Sequence, residues 1–102
     1  MVSQIDKILD EFREKAVCVE VTNGEMELIR LLMRKLSNGE SRRFGKDVCV
    51  KWRNWIVILY GNKADCVLIE DGKLYVVPLV YGVQELKEKL IDYALEVIRG
   101  VK

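Results

Sequence analysis

The sequence predicts an α+β fold, a mostly antiparallel sheet of four to five strands with three helices. Apolar residues recur at helical spacing in three segments, near 3–15, 24–37 and 83–99. Short runs of strand-forming residues, several of them alternating apolar and polar, fill residues 48–79 and are broken by turn-forming pairs. At 102 residues, half of them hydrophobic, the chain suits one core but not two, so 1–102 reads as a single domain.

Ser3 and Asp6 can both satisfy free amides of a first helical turn, and Ile5, Ile8, Leu9, Phe12 and Ala16 form the stripe behind them. Val17, Val19 and Val21 then alternate as a strand. Thr22-Asn23-Gly24-Glu25 has two readings, because Asn-Gly favours a hairpin and Thr22 with Glu25 makes a capping box. Met26, Ile29, Leu32, Met33 and Leu36 decide for a helix over 24–37, stopped by Ser37-Asn38-Gly39. The polar, basic stretch 40–47 is expected to be a mobile loop. Val48, Val50 and Trp52 alternate, as do Trp55, Val57 and Leu59. With Arg53-Asn54 as the turn, Trp52 and Trp55 face each other across a hairpin; one long bulged strand is the alternative.

Gly61-Asn62-Lys63 leads into Cys66–Glu70, and Asp71-Gly72 makes a tight turn into Leu74–Leu79 with Glu70 opposite Lys73. Pro78, the sole proline, points to an edge or a strand end. In the last helix Val83, Leu86, Leu90, Ala94 and Val97 form a stripe that Ile91, Leu95 and Ile98 widen to an arc of roughly 200°. That helix is either sandwiched or meets a partner. Strand–turn–helix recurs at an offset of 58, with a rival alignment at 48. The chain can therefore be read as two related halves, roughly 1–50 and 51–102, with a groove between them.

Composition narrows the chemistry. There is no histidine, and the aliphatic hydroxyls are Ser3, Ser37, Ser41 and Thr22 alone, so no catalytic residue, metal ligand set or cofactor is assigned. Cys18, Cys49 and Cys66 lack ligand spacing and read as buried strand residues. Asp71-Gly72-Lys73 with Asp65 resembles a short metal-nuclease element, but a two-residue hairpin turn fully explains Asp71 and Gly72 and is the favoured reading. No apolar run approaches the ~18–20 residues of a membrane span, and Asp6, Asp10 and Glu11 argue against a secretory leader, so a cytoplasmic protein is expected.

Two binding readings remain. Residues 34–53 carry seven bases against Glu40 and Asp47. Arg42, Arg43, Lys46, Lys51 and Arg53 are therefore candidates for nucleic-acid phosphates, with a tryptophan stacking on a base. The favoured reading is non-catalytic protein or peptide binding, by a monomer or homodimer, in the groove or at an open sheet edge. Residues 66–79 are apolar on both faces, so helices or a partner must cover both. Trp52, Trp55, Tyr75, Tyr81, Ile91, Leu95 and Ile98 are the candidate partner contacts.

The excess of Glu, Lys and Arg with Val and Ile, one proline and no histidine resembles the small orphan proteins of filamentous viruses infecting hyperthermophilic archaea. The resemblance covers the whole chain as composition. It implies a protein of the infected cell acting through protein contacts and carries over no functional residue. Asn23-Gly24, a heat-labile pair, departs from it.

Overall fold

The computed structural model describes residues 4–100, and the α+β expectation holds. Its elements are α1 (Gln4–Lys15), β1 (Val17–Val19), α2 (Asn23–Lys35), β2 (Ser41–Phe44), β3 (Asp47–Trp52), β4 (Trp55–Tyr60), β5 (Lys63–Glu70), β6 (Lys73–Val77) and α3 (Val83–Arg99). Ser3, expected to cap α1, lies outside the described residues. The capping box settles the Asn23-Gly24 ambiguity. Glu25 N–H donates to Thr22 Oγ1 at 3.1 Å, and Thr22 N–H donates to Glu25 Oε1 at 2.8 Å. Accepting that amide holds the Glu25 carboxyl below its usual range. At the other end of the chain, Gly100 adopts φ 65°, closing α3 by donating to the carbonyls of Glu96 and Val97.

All neighbouring strands are antiparallel, in the order β1-β6-β5-β4-β3-β2. Both expected hairpins form, with Trp52 opposite Trp55 and Glu70 opposite Lys73. Asp71 at φ 54° and Gly72 at φ 71° supply the two left-handed residues that match a hairpin turn to strand twist. The sheet has six strands, more than the four to five expected, because 40–47 is not a loop. Ser41–Phe44 pairs with β3, but only Phe44 is buried along it, so the strand has no alternating apolar signature. The strand holding Val17 also stops at Val19, not Val21. Pro78 follows β6, which lies between β1 and β5, so it marks a strand end and not an edge. A division near residue 50 falls inside β3, and the sheet runs unbroken through it.

The register sorts side chains onto two faces. One carries Val19, Phe44, Cys49, Ile56, Ile58, Val67, Leu74 and Val76, closed over by Met26, Ile29, Leu32 and Leu36 of the α2 region and by Leu86, Leu90, Tyr93 and Ala94 of α3. Among the described residues the opposite face is covered by α1 alone; its Leu9 and Phe12, with Ala16 just past its end, pack on Trp55, Cys66, Leu68, Tyr75 and Val77. Burial pushes the Cys49 thiol up to about 12 and the Cys66 thiol up to about 11, so neither is a nucleophile at neutral pH. Cys18, expected to be buried, is exposed, because β1 is an edge and its central side chain lies beyond the cover of α1.

Candidate binding surface

On the α1 face, side chains of successive strands line up in rows. One row is Trp52, Trp55, Leu68 and Tyr75; the next is Ser41, Val50, Val57, Cys66 and Val77; the third is Arg43, Val48, Leu59 and Ala64. The helix sits over the first row and the β5–β6 end of the second. Val48, Val50, Leu59 and Ala64 are neither fully buried nor part of either core cluster. They make an apolar shelf beside α1, where the other face of the sheet has a second helix. A pocket of about 400 Å³ lined by Lys63, Ala64, Leu79 and Val80 ends the third row. Leu79 is 57% exposed there, and Val80 40%.

The helix wheel tells which flank of α1 meets the shelf. At 100° per residue, Asp6 and Arg13 lie on one side of Leu9 and Ile8 on the other. The first side is tied to the Arg53-Asn54 end of the sheet. Trp52 Nε1 donates to Asp6 Oδ1 at 2.9 Å, Arg53 pairs with Asp6 at 3.4 Å, and Arg13 pairs with Glu70. These groups rim a depression of about 410 Å³ over Leu9, Trp55 and Leu68. The second side carries Ile8, 45% exposed, away from that end and toward the shelf.

The predicted partner contacts do not gather in one place. Trp55 is buried, and Trp52 and Tyr75 are half-buried beneath α1, so these three are core; the alternation that suggested them is that of a covered sheet face. Tyr81 packs edge-on against Tyr60 at 4.9 Å, with Lys89 Nζ 4.5 Å from its ring centroid. Ile91 and Leu95 are half-buried, and Ile98 is 52% exposed, on the helical layer of the opposite face. Val48, Val50, Leu59 and Leu79 are not legible in the sequence as a surface. Their alternation was visible, but the extent of cover given by α1 was not.

Of the predicted phosphate contacts, Arg42, Arg43, Lys46 and Lys51 lie on β2, its turn and β3, with Arg43 on one face of the sheet and Arg42 and Lys51 on the other. Among the described residues none of these four has an ion-pair partner, and Arg42 lies over the Phe44 ring at 5.8 Å. Nearby acids are engaged elsewhere. Glu40 accepts from Ser37 N–H at 2.7 Å; Asp47 accepts from Tyr93 OH at 2.5 Å and from Lys89 Nζ at 3.2 Å. Burial, and then the bond to Asp47, push the Tyr93 phenol up, so it stays a donor. Arg53 stands apart at the far end of β3, held by Asp6.

Asp65 and Asp71 also stand apart, at opposite ends of β5 and on the order of 20 Å from each other at strand rise, too far to share a metal ion. Asp65 is fully buried and accepts backbone N–H from Leu79 at 2.6 Å, Val80 at 2.6 Å and Tyr81 at 3.1 Å. It anchors the β6–α3 connection. Among the described residues no helix is long and apolar enough to cross a membrane, and no cluster of metal-ligating side chains occurs. No family model, curated protein or solved structure matches the chain, so its function is read from this geometry.

Proposed function

We propose that the chain is a non-catalytic binding module that holds a protein segment on the open half of its α1 face. The observation that carries this is the unequal cover of the sheet. Two long helices close one face, while the single twelve-residue α1 leaves Val48, Val50, Leu59 and Ala64 beside exposed Ile8 and Leu79. A partner's apolar side chains placed there complete the layer that the chain lacks, and exposed apolar patches of this kind mark interaction sites.

Nucleic-acid binding is the second reading, favoured by the unpaired Arg42, Arg43, Lys46 and Lys51. It has no exposed stacking platform beside those bases, because Phe44 and Trp55 are buried and Trp52 is bonded to Asp6. Photo-crosslinking separates the two. With benzoylphenylalanine at position 59, and at exposed position 88 as control, the binding reading expects a protein adduct from 59 that is absent from 88. Equal labelling from both positions, or adducts only with nucleic acid, overturns it.

A further inference from the structure

The register fixes which backbone groups of β2 are free. A two-residue turn at Gly45-Lys46 makes Phe44 and Asp47 a hydrogen-bonded pair, and every second pair follows it. The bond from Lys51 N–H to Glu40 O at 3.1 Å keeps that phase, two pairs further along. Arg42 and Phe44 thus direct their N–H and C=O groups toward β3, and Ser41 and Arg43 direct theirs outward. At the other edge the same alternation, counted across the sheet, leaves only Cys18 of the three-residue β1 facing out. The β2 edge is the better template for another strand.

We propose that this edge accepts an acidic extended peptide by strand addition. The inference rests on the binding reading and names a partner chemistry for it. Charge chooses the occupant: Arg43 on one face, Arg42 on the other, and Lys46 at the turn have no carboxylate partner among the described residues, so an added strand bearing Glu or Asp pairs with them across the ladder. The same charge disfavours a second copy, whose own β2 would bring like charges together. A phosphodiester chain accepts hydrogen bonds but donates none from its backbone. The outward edge offers N–H and C=O alternately, which another peptide backbone matches and a phosphodiester does not.

Backbone amide exchange, read residue by residue, tests this with a peptide of about ten residues of glutamate and valine. Lysine-for-glutamate and oligothymidine probes serve as controls. The expected result is slowed exchange at Ser41 and Arg43, with little change at Arg42 and Phe44, which are already bonded to β3. Binding should weaken roughly tenfold in Arg43→Glu and weaken as salt rises. No protection at Ser41 and Arg43, equal binding of the lysine peptide, or protection by oligothymidine alone overturns the edge proposal. If protection is absent while the adduct from position 59 persists, the edge proposal fails and the shelf reading stands.

Discussion

Replacing Asp65 with alanine lowers the unfolding free energy by about 3–5 kcal/mol, among the larger effects any single substitution in this chain is expected to have. Three backbone amides, of Leu79, Val80 and Tyr81, converge on this one fully buried carboxylate. Each bond to a charged acceptor contributes roughly 1.5–3 kcal/mol, and truncation leaves all three donors unpaired. Overlap among the three bonds keeps the total below their sum. For a domain near this size the unfolding midpoint falls by about 4 °C or more per kcal/mol, so a loss above ~12 °C is expected by circular dichroism. Asp65→Asn keeps one carbonyl oxygen and should fall between the two proteins. A drop under about 1 kcal/mol would mean that the 79–81 segment is held by other contacts.

Trp55→Ala should cost a comparable amount, about 3–5 kcal/mol, by removing the buried tryptophan packed beneath α1. The indole is 8% exposed and clusters with Leu9, Cys66, Leu68 and Val77. Chemical denaturation measures the loss directly. Its sign and size also decide between two roles for this residue. A core tryptophan lowers stability sharply. A partner contact would instead leave the midpoint within about 1 kcal/mol while binding is lost.

The hairpins were legible because their determinants are local. Asp71-Gly72 can adopt the two left-handed conformations that the turn requires, and the flanking alternation then sets the register. The α2 start was legible through Thr22 and Glu25, three residues apart, once Met26 and Ile29 showed a helical period. β2 was hidden because an edge strand needs few apolar side chains, and Ser41, Arg42 and Arg43 read as solvated loop. The role of Asp65 was hidden because its partners lie 14 to 16 residues downstream. A carboxylate sharing a sheet face with Val67 and Ile69 was the available clue.

The basic stretch was legible from composition, but its division between the two faces of the sheet and the tie of Arg53 to Asp6 were not. The shelf was not, although alternation does put Val48, Val50 and Leu59 on one side. Whether that side is covered depends on where α1 lands and how far its twelve residues reach. That is a tertiary property, and no local pattern in the chain encodes it.

The central claim is that the shelf is a binding surface and not a thin part of the core. Its most direct measurement is capture of the protein crosslinked from position 59, comparing the native chain with a Val50→Lys, Leu59→Lys double variant. Lysine can lie along a half-exposed strand face with its ammonium in water, so the variant should unfold within about 2 kcal/mol of the native chain. The predicted result is a folded variant that no longer retains that protein. Undiminished retention by the folded double variant would contradict the account.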